Sequence, residues 1–174
     1  MNQKALESTI RATLLQCLPA GWALPVIAGS QPTGQGREDG VYFFRISDGK
    51  RGWQGRKYRD DGPDLLLTES QWAETEYQFS ALVQDDIKDD AQPLAGDVLD
   101  IVRSTLSGIV MAQRLHAQGV GVQRPGSILI PAFVNDRNQY DFNPNFSIVF
   151  SHRRDITQSV PYTTVITESS TTAI

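Results

Sequence analysis

The feature that most constrains this chain is a run of strict alternation. From Ala73 to Val83 the odd positions are Ala73, Thr75, Tyr77, Phe79, Ala81 and Val83, while the even ones begin Glu74, Glu76, Gln78 and Ser80. Successive side chains of a strand point to opposite faces, so the pattern predicts a strand over 72–84 with one buried and one solvated side. Such a strand needs partners, and the stretch before it supplies them. Val41 to Ser47 is rich in aromatic and β-branched residues, and Asp48-Gly49 follows as a turn dipeptide able to take positive φ. Arg51 to Arg59 comes back, carrying Trp53 and Tyr58 among basic residues. The expectation is a hairpin reversing at 48–49. A second turn is expected at Asp60-Asp61-Gly62-Pro63-Asp64, and Leu65-Leu66-Leu67 is a short buried piece leading to the long strand.

Before this region, Leu6, Ile10, Leu14 and Leu18 fall on one helical stripe with Cys17, predicting a helix over 3–18. Pro19-Ala20-Gly21 ends it. Trp22 to Ala28 is apolar but contains Pro25, which suits an edge strand or an extended crossing. Residues 29–40 are a glycine-rich polar loop. Its Gly34-Gln35-Gly36 lacks the rest of a dinucleotide fingerprint and leads into a strand, not a helix. Downstream, Asp85 to Gln92 carries four aspartates without calcium-loop spacing, and is read as a solvated loop. Pro93 suits a first helical turn, and Leu94, Val98, Ile101, Val102, Thr105 and Ile109 keep helical spacing to about Leu115. Ser107-Gly108 bends that helix or divides it into two. Gly119 and Gly121 cap its end, and Arg114 and His116 lie in the last turn, where the helix dipole favours positive charge. Ser127 to Val134 is expected as a strand interrupted by Pro131, residues 135–138 as a turn, and Phe146 to Ile156 as a final alternating strand with Phe146, Ile148, Phe150 and His152 on one side. Asn145-Phe146-Ser147 matches a glycosylation sequon, but nothing indicates secretion.

Strands joined by short turns, with helices before and between them, predict an α+β fold. It is a mostly antiparallel sheet with an N-terminal helix and a central helix or helix pair packed on one face. At 174 residues the chain is enough for one domain with a real core. Residues 1–160 are assigned to that domain. Residues 161–174, rich in Thr and Ser, are assigned to an extended C-terminal tail, disordered or ordered only on a partner. With 40% hydrophobic and 21% charged residues the composition is that of an ordinary globular protein. Net charge is −4, so overall attraction to nucleic acid or an anionic membrane is not expected. No apolar run approaches the roughly 20 residues needed to span a bilayer, no signal peptide is expected at Met1-Asn2-Gln3-Lys4, and the single Cys17 fits a reducing compartment.

Catalytic chemistry finds little support. Two histidines, His116 and His152, and one distant cysteine do not make a zinc site, and no metal or cofactor is expected. No GxSxG elbow surrounds any serine. The acid pairs Asp60-Asp61, Asp85-Asp86 and Asp89-Asp90 are loop neighbours, which gives no sign of carboxylates facing each other across a substrate. His152 is a conceivable base; a hydrogen-bonded or interface histidine is the simpler account. The informative surface feature is the basic hairpin. Arg45, Lys50, Arg51, Arg56, Lys57 and Arg59 interleave with Trp53 and Tyr58, and Arg153 and Arg154 lie near the end of the final strand. Phosphate contact with base stacking is one use of such a set, and a solvated hairpin is the plain one. Nearby Glu38, Asp39, Asp60 and Asp61 weaken the nucleic-acid case. Arg, Trp and Tyr dominate hot spots between proteins, so these ten residues are the candidate protein interface.

Several of these runs resemble tailed-bacteriophage neck and tail-terminator proteins. They are Phe43-Phe44-Arg45-Ile46-Ser47-Asp48-Gly49 with Gly52-Trp53-Gln54-Gly55-Arg56-Lys57-Tyr58, and Glu69-Ser70-Gln71-Trp72-Ala73-Glu74-Thr75 leading to Phe79-Ser80-Ala81-Leu82. Pro131-Ala132-Phe133-Val134-Asn135-Asp136-Arg137, Pro144-Asn145-Phe146 and Ser151-His152 follow in the same order, so the resemblance spans about 40–160. The resemblance implies a structural virion protein, not an enzyme, of the neck, assembled in the host cytoplasm. It implies a ring, commonly of six subunits, that caps the head-proximal end of the tail tube, stops its growth and joins the head. Its partners would be copies of itself, tail tube protein, head connectors and sheath protein. DNA would pass through the lumen without sequence-specific contact, and no membrane is involved. A head-completion connector (adaptor or stopper) of the same neck is the near alternative. A small hydrolase or nucleotide-binding enzyme using His152 or the 34–40 loop is the remote one.

Overall fold

The computed structural model describes residues 1–29, 38–60, 64–83, 92–134 and 140–160. Helix α1 spans Gln3–Cys17, and the Asn2 side chain caps it by accepting from the Ala5 N–H at 2.8 Å. The strands β1 (Val26–Ala28), β2 (Gly40–Asp60) and β3 (Leu65–Leu82) follow. Helices α2 (Ala95–Ser107) and α3 (Ile109–Ala117) come next, then β4 (Val120–Val122), β5 (Ala132–Val134), β6 (Tyr140–Phe142) and β7 (Asn145–Val160). Five strands form one sheet in the order β1-β2-β3-β7-β4, with β1 parallel to β2 and the other pairs antiparallel, while β5 and β6 pair separately. The three helices pack on one face, giving the α+β fold expected from sequence.

The core lies between that face and the helices. Leu6, Ile10 and Leu14 of α1, Val98, Leu99, Val102 and Leu106 of α2, and Met111 and Leu115 of α3 are all buried against it. The sheet offers the odd residues of β3 and the even residues of β7, as the alternation predicts. Phe43, Phe79 and Phe146 stand opposite one another on adjacent strands. Their rings stack with centroids 5.0 and 5.3 Å apart, so one aromatic row fixes the register of the three long strands. The edge strand β1 is held close. A side chain at Gly40 would meet the Pro25 carbonyl oxygen at 3.0 Å, so glycine lets the two strands approach.

Five expectations are corrected. Asp48-Gly49 is not a turn: Asp48 pairs with Thr75 and Gly49 with Glu74 inside a continuous ladder. The Asp48 carboxylate accepts from the Thr75 hydroxyl at 3.0 Å and pairs with Arg154 at 2.9 Å, so cross-strand partners hold it extended. The reversal lies beyond Asp60, which pairs with Leu65, and Leu65–Leu67 opens β3 instead of standing apart. In place of a strand over 127–134 there is an isolated bridge from Leu129 to Asn145, then β5. The final strand runs past Ile156 to Val160. Helix α2 begins after Leu94, whose N–H donates to the Asp97 carboxylate at 3.2 Å, which leaves Pro93 outside it. The break at Gly108 divides the helical stretch into two, as its sequence allows. The expected aspartate-rich loop at 85–92 and turn at 135–138 lie essentially outside the described residues, as does the assigned tail.

Candidate assembly interface

Three strands outgrow the core. Beyond the aromatic row, β2 is exposed from Arg45 to Asp60, and β7 is exposed or half-buried from Arg153 to Val160. Together with β3 from Leu65 to Trp72 they form a three-stranded arm. Eight residues of β3 at about 3.3 Å each carry the arm roughly 25 Å out from the body. Among the described residues no helix covers it, and its central strand is shielded by its two neighbours.

All ten residues singled out in the sequence lie at or on this arm. They do not form one patch. The period of two places Lys50, Arg56, Tyr58 and Arg154 on the face continuous with the core, with Arg45 at its base. Arg51, Lys57, Arg59 and Arg153 lie on the opposite face. Trp53 sits where the ladder shifts between Arg51 and Gly55, next to Gly52 with φ of 72°, and is 98% exposed. That left-handed backbone favours glycine.

Several of the cations are already paired. Arg51 meets Glu74 at 2.6 Å and Arg56 meets Glu69 at 3.1 Å. Arg153 reaches Asp155 at 2.7 Å and donates to the Ser70 hydroxyl at 2.6 Å. Hydrogen bonding to the Asp155 carboxyl, from Ser70 first and then from Arg153, holds it below its usual range. Arg154 and Arg45 share Asp48. Among the described residues, Lys50, Lys57 and Arg59 have no ion-pair partner. They leave net positive charge on the outer strand.

The sequence reading misses Trp72. It stands opposite both Arg51 and Arg153, is 52% exposed, and lines a shallow cleft of about 310 Å³ with Trp53, Ser70 and Arg153. Its even position in the alternating run is the signal that could have found it. A second surface, also missed, lies at the other end of the body. Val83, Leu94, Ile128, Ile130, Phe142 and Pro144 line an apolar groove of about 560 Å³. These residues are scattered in sequence and carry no local signature.

His152 faces away from any such surface. It is fully buried opposite Ala73 and Val120, and neither ring nitrogen has a hydrogen-bond partner among the described residues. Burial holds its pKa below the ordinary value, helped by Arg154 and the Met1 amine and opposed by Asp48. A catalytic base must reach its substrate, and this imidazole is shut off from solvent. The glycine-rich loop at 34–37 lies outside the described residues. Among the described residues no three metal-ligating side chains gather, and no helix is long and apolar enough to cross a membrane.

A solved protein has a similar fold. The cryo-EM structure of an extracellular contractile injection system, the PVC sheath/tube terminator in its extended state, matches all of this chain with a TM-score of 0.52 at 12% identity. The chain spans 65% of that protein's length. No curated protein matches in sequence. The family is given by a sequence model described as E217 gateway protein gp29, which matches residues 5–162; the chain belongs to this family. The resemblance to neck and tail-terminator proteins drawn from its sequence is thereby borne out.

Proposed function

We propose that this protein is a structural subunit of the phage neck, forming a ring that closes the head-proximal end of the tail tube and offers the surface on which the head docks. The observation that carries the reading is the family match over residues 5–162, which takes in both the body and the arm. The likeness in fold to a sheath/tube terminator supports it. So does the arm, whose aromatic and basic residues are exposed beyond what the core can cover.

A tail tube is an open stack, and a terminator must match it on one face and refuse it on the other. A head-to-tail contact whose rotation closes meets that need, and six copies is the expected number. The partners are then copies of this chain, tube protein below, sheath protein around, and head connectors above. DNA passes through the lumen without base-specific contact. The protein acts without a cofactor, assembles in the host cytoplasm and ends in the virion neck.

Deletion of the gene in the virus tests this reading. Tails of irregular length that fail to join heads are expected. Uniform, head-joined tails would refute it. Uniform tails that stay unjoined, with leaking heads, would move the protein to the neighbouring connector ring.

A further inference from the structure

The arm has two outer edges, and they differ. Along β2, strand β1 covers only Val41 to Phe43, and the edge beyond is interrupted by register shifts at 45–47 and 51–55 and by positive-φ Gly52. It also carries Lys50 and Lys57. Bulges and lysines are the means by which natural sheet edges resist another strand.

The β7 edge has no such defence. The strand β4 and the segment after it cover β7 through Gln123 N to Val149 O (2.9 Å), Gly126 N to Ser147 O (2.8 Å) and the pair Val120–His152. The Met1 amine donates to the Arg153 carbonyl at 2.6 Å, and among the described residues the cover stops there. The carbonyls used on this side are those of odd residues, so Asp155, Thr157 and Ser159 also turn their N–H and C=O outward. Pairing with β3 is unbroken from Asn145 to Val160. Residues 154–160 contain no lysine, proline or glycine, and Ile156 is 62% exposed.

Directly after this edge the sequence is Pro161, then Tyr162-Thr163-Thr164-Val165-Ile166-Thr167. All six residues of 162–167 favour strands, one fewer than the seven of the open edge. They are poorly suited to turning back onto their own edge. A tight hairpin needs positive φ, Pro161 is fixed near −65°, and 161–167 holds no glycine, asparagine or aspartate. We propose that residues 162–167 of one copy add as a strand to β7 residues 154–160 of the neighbouring copy. Main-chain hydrogen bonds supply the affinity, and the donor and acceptor surfaces differ, as a head-to-tail ring requires. The inference rests on the ring reading given above.

The test mixes two differently tagged full-length chains, one with Thr157→Cys and the other with Val165→Cys, under mild oxidation. A disulfide joining the two tags, absent from either variant alone, is expected. In parallel, Thr157→Pro removes an outward N–H and leaves the β3 ladder intact. It should raise the protein concentration needed for assembly by at least tenfold, truncation after Val160 should do the same, and combining them should add nothing. Rings that form without the cross-link and ignore Thr157→Pro overturn the strand addition and leave the ring standing. A chain that stays monomeric even on tube ends, with no cross-link, overturns both. A cross-link from Thr157→Cys only to tube or sheath protein overturns the choice of a second copy as occupant.

Discussion

His152 is a residue whose chemistry the fold changes. Its imidazole is kept neutral chiefly by burial, so the unfolded chain binds a proton that the folded chain refuses. Stability is therefore fully present above the unfolded pKa of about 6.5 and falls as pH drops below it, by at most about 1.4 kcal/mol per pH unit. We expect the melting temperature to decline between pH 7 and 5, and His152→Leu to flatten that slope; an unchanged slope would show that other groups govern it. Phe79 matters differently. Its ring stacks on both Phe43 and Phe146, so Phe79→Ala removes the middle of the row that locks three strands. A loss of about 3–5 kcal/mol in chemical denaturation is expected.

The arm sets what could be read in advance among the elements. Strands inside the body were legible because one face is buried and the other wet: Phe79 and Phe146 announce themselves by alternation. The arm has no such contrast. Thr157, Gln158 and Ser159 continue the ladder as three polar residues in a row, so periodicity ends before the strand does. Asp48-Gly49 has the local chemistry of a turn, yet Thr75 and Arg154 outweigh that preference from across the sheet. The basic cluster was legible because it is contiguous. Its division between two faces follows plain alternation from Lys50 to Arg59; what had no signature is the shift between Arg45 and Ser47, which puts Arg45 on the side of Lys50. Trp53→Ala with Trp72→Ala should leave the circular dichroism spectrum and melting temperature nearly unchanged while weakening assembly at least tenfold. Equal assembly at low protein concentration would remove the arm from the interface.

Across the whole molecule, charge is unevenly spread. The chain carries net −4, whereas Lys50, Lys57 and Arg59 stand on one exposed strand without ion-pair partners among the described residues. Such charges act on encounter more than on final affinity, and salt screens them. Replacing all three by alanine should slow association and reduce its dependence on salt, measured by light scattering after mixing with tube ends. An unchanged salt slope would mean these cations face solvent in the assembly. The pairing pattern described above also has a mechanical meaning. The ladder between β3 and β7 runs unshifted from Val160 near the tip of the arm to Asn145 in the body, while β2 is broken twice along its length. A push at the tip is thus carried rigidly along one side of the arm and yields at two joints on the other. In the proposed ring, load from a neighbouring subunit would reach Phe146 and Phe79 as strain in the aromatic row, so the arm would act as a lever seated in the core instead of a flap hung from its rim.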